Sequence, residues 1–571
     1  MNTEVLSPRL LQANLKNYED VYNKFDWKEV EKEFSWHTTG KVNIAYEALD
    51  RHALSWRKNK IALYYEDDLR EEKYTYQELM FLSNKFGNLL RKLGIQKGDR
   101  VFVFMPRSPE LYIAFLGIAK VGAVVGPLFE AFMEEAVRDR LKNSDATAVV
   151  TTPFMMNRIP REDLPSLKHI IIAGAEGELA PGEVSYEKEM REASHIIDME
   201  WLSREDPLIL HYTSGSTGKP KGVLHVQNAM IGHYLTARWV LDLRDEDIYW
   251  CTADPGWVTG TSYGIYGPWL NGASIIVRGG RFSVDSWYSV IEKYKVTVWY
   301  SAPTAFRLFM AAGDEAAQNH DLSSLRLIYS VGEPLNPEVI RWAMSVFGQP
   351  IHDTWWMTET GMQLIVNFPS MPVKPGSMGK PFPGVMAAIL DSEGKEAPPN
   401  RIGNLAIKKG WPAMMKEIWK NPEKYREYFP FNGWYISGDS AYRDEEGYFW
   451  FQGRIDDVIK TSGERVGPFE VESKLIEHPA VAEAGVIGKP DPVRGEIIKA
   501  FVLLNPSYSP SEELKNDISQ FVKKGLAAHA FPREIEFKDS LPRTRSGKIM
   551  RRVLKAWELG LPTGDLSTME D

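Results

Sequence analysis

The sequence predicts an α/β protein: a large N-terminal domain of layered α/β sheets that contains a β-rich subdomain, followed by a small α+β C-terminal domain. Short apolar runs alternate with helical patterns over most of the chain, which is typical of layered α/β sheets. Residues 376–451 are instead rich in Gly and Pro, with short strand patterns and little helix. Residues 466–571 have a separate pattern of helices and strands, long enough for an independent domain. We place the major boundary within 454–460.

Length and composition limit the class of protein. A chain of 571 residues is expected to form three or four compact units, at roughly 150 residues per domain. The single cysteine, Cys251, excludes an internal disulfide framework and fits a reducing compartment, so we expect a cytoplasmic protein. The first residues are polar and lack the pattern of a secretory signal. A net charge of −9 without a basic stripe argues against a nucleic-acid surface.

The most apolar segment, residues 112–129, predicts a buried helix that leads into a strand. It is interrupted by Lys120 and by three glycines, whereas a membrane-spanning helix needs about 20 consecutive apolar residues. We therefore expect no membrane span.

The remaining elements follow in chain order. The run Thr75-Tyr76-Gln77-Glu78 is typical of a capping box and predicts a helix through about Leu93. A turn over 97–100 leads into a strand over 101–104. Further apolar runs predict strands at 170–172, 274–277, 296–300 and 325–329. In the C-terminal domain the predicted elements are a helix at 470–476, strands at 484–487 and 500–504, a helix at 512–526 and a basic terminal helix.

A loop over 212–222 concentrates hydroxyls, glycines and cations, in the order Tyr-Thr-Ser-Gly-Ser-Thr-Gly-Lys-Pro-Lys-Gly. Glycines let a backbone approach an anion closely, and successive N–H groups can bind it together with Ser and Thr hydroxyls. A short apolar strand, 208–210, precedes the loop. The loop is not a Walker A motif, because two residues separate Gly215 from Gly218 and Lys219 precedes Pro220. This order favours a polyphosphate site over a plain polar turn.

Together with this loop, five further blocks resemble the signatures of the adenylate-forming enzymes, a family that includes acyl-CoA synthetases, firefly luciferase and peptide-synthetase adenylation domains. The blocks are Ser-Val-Gly-Glu-Pro at 330–334, Asp-Thr-Trp-Trp-Met-Thr-Glu-Thr-Gly at 353–361, Ile-Ser-Gly-Asp at 436–439, Gly-Arg-Ile-Asp-Asp at 453–457 and Ser-Gly-Lys at 546–548. They occur in order and cover most of the chain. The Asp-Thr-Trp-Trp block most resembles that of the acetyl-CoA synthetases.

The resemblance implies a two-step reaction. ATP and acetate would give acetyl-AMP and pyrophosphate, and CoA would then displace AMP to give acetyl-CoA. The alternative within the same chemistry is a propionyl- or medium-chain acyl-CoA synthetase. A catalytically silent nucleotide-binding regulator is disfavoured because Lys548, Glu359 and Asp439 are retained. A peptide-synthetase loading module would need a carrier domain, and the sequence ends too soon after Lys548 for that.

The resemblance also implies where ATP and AMP bind. Asp439 would accept both ribose hydroxyls through its two carboxylate oxygens. Glu359 would hold Mg²⁺, for which a carboxylate oxygen is an expected ligand, and Thr358 would contact the α-phosphate. The full ATP/AMP set implied by the resemblance is Thr213, Ser214, Gly215, Ser216, Thr217, Gly218, Lys219, Gly332, Glu333, Pro334, Asp353, Thr354, Trp355, Trp356, Met357, Thr358, Asp439, Arg454 and Arg465.

Trp356 carries the prediction of acid specificity. By resemblance, a Trp here closes the acyl pocket, whereas relatives that take longer acids have Gly and an open tunnel. Met357 stands where acetyl-CoA synthetases commonly have Gln, so propionate is an expected secondary substrate. The other walls of this small apolar pocket would be Trp257, Val258, Thr259 and Val331.

Lys548 ends a flexible, cation-rich turn, and the resemblance implies that it reaches the carboxylate and the α-phosphate during adenylation. The domains would then be 1–455, for adenylation, and a mobile 456–571, which swings about a hinge near Asp456 to admit CoA. Acetylation of Lys548 by a protein acetyltransferase would remove the charge, and a deacetylase would restore it.

Two further sites are implied by the resemblance. CoA would bind Thr259, Ser462, Gly463 and Lys523 or Lys524, although the family often has Arg at the last position. A second, structural metal would bind backbone carbonyls near Ile476, His478 and Val481. His478, which precedes Pro479, equally fits a residue at the end of a helix.

Overall fold

The computed structural model describes residues 4–8, 12–213, 220–461, 464–526, 530–544, 548–563, 566 and 569, with only the backbone at 464 and 465. The predicted α/β class is confirmed, since helices accompany a nine-stranded, an eight-stranded, a four-stranded and a five-stranded sheet. The α-helices of these residues are Tyr18–Tyr22, Trp27–Glu31, Trp36–Thr39, Arg51–Ala53, Tyr76–Lys92, Pro109–Lys120, Glu134–Ser144, Tyr186–Glu192, Ala229–Trp239, Val258–Thr261, Gly267–Leu270, Val284–Tyr294, Pro303–Ala312, Asp314–Gln318, Pro337–Val346, Pro422–Glu427, Pro468–Ile476, Glu512–Gly525 and Arg551–Leu559. Shorter π and 3₁₀ turns are Tyr46–Asp50, Ser262–Tyr266, Trp56–Asn59, Pro153–Arg158 and Ile455–Asp457.

The two large sheets form the body of the N-terminal part. In spatial order, the nine-stranded sheet contains Lys380–Pro381, Ile365–Val366, Ile351–Trp355, Leu327–Val331, Val298–Ser301, Ile248–Cys251, Ser274–Arg278, Ile61–Glu66 and Glu71–Thr75. The eight-stranded sheet contains Glu417–Ile418, Lys221–Val226, Pro207–Thr213, Val124–Pro127, Arg100–Phe104, Ala148–Thr151, His169–Ile172 and Glu183–Ser185. Most neighbours in both sheets are parallel. Their strands are nearly continuous apolar runs, because helices cover parallel sheets on both faces.

The first predicted helix has the predicted cap. Helix Tyr76–Lys92 begins after Thr75, whose hydroxyl accepts the Glu78 N–H at 3.1 Å, and the Glu78 carboxylate accepts the Thr75 N–H at 2.8 Å. Two predicted strands begin two residues late, as Val298–Ser301 and Leu327–Val331. The reason is local, because the Val296 N–H still donates to Ile291 in the preceding helix and the Leu325 N–H to Leu322 in the preceding turn, at 3.1 Å in both cases.

The apolar segment 112–129 forms helix Pro109–Lys120 and strand Val124–Pro127, as predicted. Lys120 is fully buried, and its ammonium contacts Asp50 at 2.7 Å and donates to Asn84 at 2.6 Å. Within the described residues, none of the helices is both long and apolar enough to span a membrane.

The predicted β-rich subdomain is a four-stranded antiparallel sheet, formed by Ala387–Leu390, Gly403–Lys408, Trp434–Arg443 and Phe449–Arg454. Two short strands of the same segment belong to the large sheets instead. Lys380–Pro381 extends the nine-stranded sheet and Glu417–Ile418 extends the eight-stranded sheet. The subdomain is therefore joined by backbone hydrogen bonds to both large sheets.

The last part of the chain has its own apolar core, built from residues 459–554. Its sheet contains Glu464–Val466, Ile459–Thr461, Gly495–Leu504 and Val481–Asp491, and Glu534–Phe537 pairs with Gly495–Leu504. Helices Pro468–Ile476, Glu512–Gly525 and Arg551–Leu559 occupy the predicted positions. Asp456 lies in the turn Ile455–Asp457, between this sheet and the strand Phe449–Arg454. The division at 455/456 and the hinge stay predictions.

Candidate active site

The predicted site residues meet at the carboxyl ends of parallel strands, which is where open α/β sheets bind ligands. Strand Leu327–Val331 ends directly before Gly332, and its parallel neighbour Ile351–Trp355 ends directly before Trp356. The four-stranded sheet brings Asp439 to the same place, because the Trp355 Nε1–H donates to Asp439 Oδ2 at 2.8 Å. Blocks that lie far apart in the sequence are therefore neighbours in space.

Asp439 is 5% exposed and is held by two donors. Besides Trp355, the Arg454 guanidinium donates to Asp439 Oδ1 at 2.8 Å from the paired strand. Gly438 has φ +79°, and a Cβ there would lie 2.6 Å from the Arg454 guanidinium. An ionised carboxylate offers about four lone-pair sites, so two remain for the hydroxyls of a ribose.

Glu359 is a buried carboxylate with a cation at its side. Lys221 Nζ lies 3.0 Å from Glu359 Oε1, and the Tyr428 hydroxyl donates to the same oxygen at 3.0 Å. Burial opposes ionisation, but the charge of Lys221, assisted by hydrogen bonds that include the Tyr428 hydroxyl, outweighs it and lowers the pKa of the Glu359 carboxyl. The carboxylate is thus ionised, with Oε1 occupied by protein donors.

Trp355 and Trp356 point to opposite sides, as expected for consecutive residues at the end of a strand. Trp355 faces Asp439, whereas the Trp356 Nε1–H donates to the Tyr300 hydroxyl at 3.2 Å and its ring meets Tyr263 edge-on, with centroids 5.0 Å apart. Asp353 is buried on the Trp355 side, where the Ser330 hydroxyl donates to it at 2.6 Å. Burial raises the pKa of Asp353 to about 7 against this hydrogen bond and that of the Thr354 N–H.

Of the expected walls of the acyl pocket, Val331 and Trp356 belong to one hydrophobic core, against which Val258 packs, and Trp257 packs against a second core. Val331, Thr259 and Trp356 are buried. Trp257 instead packs against Phe129 and Phe132, with ring centroids at 5.2 and 6.0 Å. The structure adds Tyr263 and Tyr300 as neighbours of Trp356, and the Gln363 Nε2 donates to the Tyr300 hydroxyl at 3.1 Å.

Lys548 lies in a cleft between the two parts of the chain, together with Glu333, Pro334 and Arg551. Its side chain is accessible to solvent. The crowded walls of the cleft nevertheless remove hydration and lower the pKa of the Lys548 ammonium, while the charge of Asp439 opposes this effect. Lys548, in the C-terminal part, is therefore near enough to Asp439, the predicted ribose carboxylate, for the charge of Asp439 to act on it.

A chain of charges crosses the same cleft. The Arg307 guanidinium donates to Glu333 at 2.8 Å, and its Nε lies 3.9 Å from the Glu483 carboxylate. Glu483 in turn pairs with Arg543, five residues before Lys548. Glu333, which the resemblance places in the ATP/AMP set, thus also takes part in the contact between the two parts of the chain.

Several predicted residues lie outside the described residues: Ser214, Gly215, Ser216, Thr217, Gly218, Lys219, Ser462, Gly463 and the side chain of Arg465. Of the CoA set, Thr259 is buried and the Lys523 ammonium lies 5.1 Å from the Phe531 ring centroid. In the described parts of the chain, no group of three or more His, Cys, Asp or Glu side chains is placed to hold a metal ion.

The predicted second metal site has competing contacts. His478 Nε2 lies 3.2 Å from Asp517, and the His478 carbonyl accepts the Val481 N–H at 2.9 Å. Ile476 is the last residue of helix Pro468–Ile476. The site stays a prediction.

Sequence reasoning missed Tyr428, Tyr263 and Tyr300. None of the three stands in a motif, and each contacts the site through a side chain from a segment far away in the sequence. A signal for Tyr428 would have been the group of aromatic residues around it in the Gly/Pro-rich segment, Tyr425, Phe429 and Phe431.

Comparisons with known proteins agree with this geometry. The family model of the AMP-binding enzymes matches residues 49–419, and that of the AMP-binding enzyme C-terminal domain matches residues 470–548. An acetyl-coenzyme A synthetase of Bacillus subtilis (strain 168) is 67% identical over 572 residues, with 100% of each chain covered. One of Methanothrix thermoacetophila is 42% identical, over 94% of this chain and 86% of its own.

Solved structures are similar over nearly the whole chain. The crystal structure of an anthranilate CoA ligase in complex with anthranoyl-AMP has a TM-score of 0.84 at 33% identity, and covers 91% of this chain and 98% of its own. That of a Brucella canis acyl-CoA synthetase has a TM-score of 0.75 at 37% identity, over 95% and 99%. The chain therefore belongs to the AMP-binding enzyme family and, within it, to the AMP-forming acetyl-CoA synthetases.

Proposed function

We propose that this protein ligates acetate to CoA in two steps. An acetate oxygen attacks the α-phosphorus of ATP and pyrophosphate leaves, which gives acetyl-AMP. The CoA sulfur then attacks the acetyl carbonyl, loses its proton and displaces AMP. The observation that carries the proposal is the position of Lys548, which stands in one cleft with Glu333 and is electrostatically coupled to Asp439.

The first step brings two anions together, so the protein must supply positive charge where they meet. Lys548 is the cation that we assign to the carboxylate and the α-phosphate. Asp439 would accept the ribose hydroxyls on the lone pairs that Trp355 and Arg454 leave open. Gly332 and Pro334, directly beyond a strand end, would form part of the adenine pocket.

Glu359 fits a role in holding Mg²⁺. Proteins usually bind this ion through one or two carboxylates together with substrate phosphates, and Glu359 is ionised, buried and held at Oε1 by Lys221 and Tyr428. When bound, Mg²⁺ would neutralise charge on the leaving pyrophosphate. We expect Glu359→Gln to suppress adenylation far more than thioester formation from supplied acetyl-AMP, measured as separate half-reactions. Equal losses in both would contradict this role.

Trp356 favours acetate over longer acids. Its indole is buried against Tyr263 and Tyr300, and we assign to it the closing of that side of the pocket against a long acyl chain. A pocket distinguishes one methylene by only about 1–3 kcal/mol, so we expect propionate as a weaker substrate.

The remaining assignments concern CoA, the hinge and regulation. We assign the pantetheine path to Thr259, Ser462 and Gly463, and the hinge to Asp456, so that residues 456–571 turn to admit CoA after adenylation. Loss of the Lys548 charge on acetylation by a protein acetyltransferase would stop adenylation, and a deacetylase would restore it. We expect the protein to act in the cytoplasm, since its single cysteine fits a reducing compartment.

The test is acid-dependent pyrophosphate release with straight-chain acids from formate to hexanoate. Acetate should have the highest kcat/KM, propionate should follow, and release should become acid-independent and low beyond butyrate. A maximum at hexanoate would favour a medium-chain acyl-CoA synthetase instead. No release with any acid would overturn the proposal.

A further inference from the structure

Four consecutive carbonyls of the turn that carries Thr358 and Glu359 each accept a hydrogen bond from outside the turn. The donors are His225 Nε2 to Thr358 at 2.7 Å, the Met415 N–H to Glu359 at 3.0 Å, Trp411 Nε1 to Thr360 at 2.7 Å and His233 Nε2 to Gly361 at 2.9 Å. Gly361 has φ +71°, and a Cβ there would lie 2.2 Å from the Ala413 carbonyl. The backbone of this segment is therefore held from several elements at once.

Two of these donors are buried histidines, and their protonation state follows from their partners. A carbonyl oxygen only accepts, so Nε2 carries the hydrogen in both rings. Burial lowers the pKa of His225, and it lowers the pKa of His233 to about 3 with a contribution from His225. Both rings are neutral at the pH of the cell, and each has a single N–H group that points at a carbonyl of the turn.

His225 acts from the strand that also holds the Glu359 side chain. Lys221 and His225 lie four residues apart on Lys221–Val226 and so face the same side of the strand. Lys221 Nζ contacts the Glu359 carboxylate at 3.0 Å, while His225 holds the neighbouring main chain. One strand thus fixes both the side chain and the backbone of the turn.

His233 acts from the opposite end of the turn. It lies on helix Ala229–Trp239, where its ring is 3% exposed and parallel to Tyr266 at a centroid distance of 6.5 Å. This packing fixes the ring plane, and with it the direction of the N–H that meets Gly361.

We propose that His225 and His233 are positioning residues for the adenylation step, which hold the backbone of 358–361 so that the Thr358 hydroxyl and the Glu359 carboxylate face the phosphates of ATP. The inference rests on the proposed function. A positioning role can be distinguished from a merely structural one. Loss of a histidine that only filled the core would act through stability alone and would lower the rates of both half-reactions alike.

The test compares variants that remove or keep the donor. His225→Leu and His233→Leu leave a carbonyl of the turn without its donor, and each should lower kcat/KM for ATP in acetate-dependent ATP–pyrophosphate exchange by about tenfold. Conversion of supplied acetyl-AMP and CoA to acetyl-CoA should change less than twofold. His225→Gln and His233→Gln place an amide N–H near the lost one and should recover most of the exchange rate.

His211→Leu is the matched control. His211 is also buried and lies on the neighbouring strand Pro207–Thr213, and no hydrogen bond joins its ring to 358–361 in the part of the chain that is described. It should leave exchange unchanged. A second readout is affinity measured by calorimetry, in which the Leu variants at 225 and 233 should weaken binding of MgATP several-fold more than binding of AMP.

Three results would overturn the inference: unchanged exchange in both Leu variants, equal losses in both half-reactions, or loss of the same size in His211→Leu. Failure of the proposed function itself is distinguishable, since the unaltered protein would then show no acetate-dependent exchange.

Discussion

Trp355 and Trp356 are neighbours in the chain but serve different halves of the site. Trp355 donates to the carboxylate that we assign to the ribose, and Trp356 donates to the Tyr300 hydroxyl on the side that we assign to the acid. Because a strand end turns successive side chains to opposite sides, one tryptophan can be changed without removing the contact that the other makes. The pair therefore allows nucleotide binding and acid specificity to be tested separately.

Trp356→Gly should open the acyl pocket towards Tyr263 and Tyr300. Each extra methylene that becomes buried contributes about 0.8 kcal/mol, so preference should move from acetate to butyrate and hexanoate. The measurement is kcat/KM for acetate, propionate, butyrate and hexanoate. Trp355→Phe is the control, in which nucleotide affinity should fall and the order of acids should stay the same. An unchanged order in Trp356→Gly would refute the specificity role.

Asp353 should make stability depend on pH. Burial raises its pKa to about 7 in the folded protein, whereas an unfolded Asp has a pKa of about 3.9. Between these values the folded state retains a proton that the unfolded chain has released, so the contribution of Asp353 to stability falls as the pH rises from about 4 to 7. Asp353→Asn removes this titration and keeps an acceptor for the Ser330 hydroxyl.

The check is the difference in the free energy of unfolding between Asp353→Asn and the unaltered protein, at pH 4.5 and pH 7.5. It should shift by roughly 2–4 kcal/mol in favour of the variant at the higher pH. A difference that is the same at both pH values would show that Asp353 does not titrate in this window.

The residues that motifs identify and those that they miss differ in one respect. Asp439, Glu359 and Lys548 stand in short ordered blocks, and Lys548 lies in a cleft with Glu333 and near enough to Asp439 for the charge of Asp439 to act on it. Tyr428 and His225 belong to no block, because each acts on the site through contacts whose geometry exists only after the sheets have formed. A sequence shows the residues that carry the chemistry more readily than those that hold them in place.

Elements were predictable where periodicity and local caps decide them. The capped helix Tyr76–Lys92 and the C-terminal helices lie where the pattern places them. Two strands begin two residues later than predicted, because the N–H groups of Val296 and Leu325 donate to carbonyls of the preceding segments. The order of strands in a sheet was not predictable, since the pairing of Glu417–Ile418 with Lys221–Val226 joins segments far apart in the chain. Pairing of this kind depends on the whole arrangement of layers and leaves no local signal.

At the scale of one turn, Gly438→Ala should weaken nucleotide binding. The residue has φ +79°, which costs a non-glycine residue about 1–2 kcal/mol, and the new Cβ would lie 2.6 Å from the Arg454 guanidinium. Arg454 must then move away from Asp439, and we expect the affinity for AMP to fall about tenfold, measured by calorimetry.

Gly433→Ala provides the matched control for this turn. Gly433 has φ +74°, and its nearest neighbour for a Cβ is the flexible end of Lys408 at 3.2 Å. The backbone strain is similar, but Asp439 is untouched, so AMP affinity should be retained. Equal losses in the two variants would mean that strain, and not the displaced guanidinium, weakens binding.

For the whole molecule, the two parts of the chain meet with Lys548 in a cleft beside Glu333 and Pro334, which we assign to the nucleotide site. The charges Arg307, Glu333, Glu483 and Arg543 continue from one part to the other beside it. This arrangement suits the adenylation step, in which we propose that Lys548 acts. It must change if residues 456–571 turn to admit CoA.

Lys548→Ala should therefore affect the two half-reactions unequally. A pair of unit charges about 4 Å apart at an effective dielectric constant near 20 contributes roughly 4 kcal/mol, so adenylation should slow by about a thousandfold. ATP–pyrophosphate exchange with acetate should collapse in the variant and in protein acetylated at Lys548, while thioester formation from acetyl-AMP and CoA should largely survive. Lys555→Ala, on the following helix, is the control. A parallel fall of both half-reactions would show that Lys548 is not specific to adenylation.

The strand that the β-rich subdomain contributes to the eight-stranded sheet has a consequence for synthesis of the chain. Glu417–Ile418 covers the outer edge of Lys221–Val226, yet it leaves the ribosome roughly 200 residues later, which takes roughly 10–40 s at ordinary translation rates. During that interval the N–H and C=O groups along this edge have no strand beside them, and an uncovered edge invites pairing with another chain. During this interval the nascent chain therefore depends on a chaperone or on dilution to prevent pairing with other chains. The interval ends only when the segment after residue 410 has been synthesised and can cover the edge.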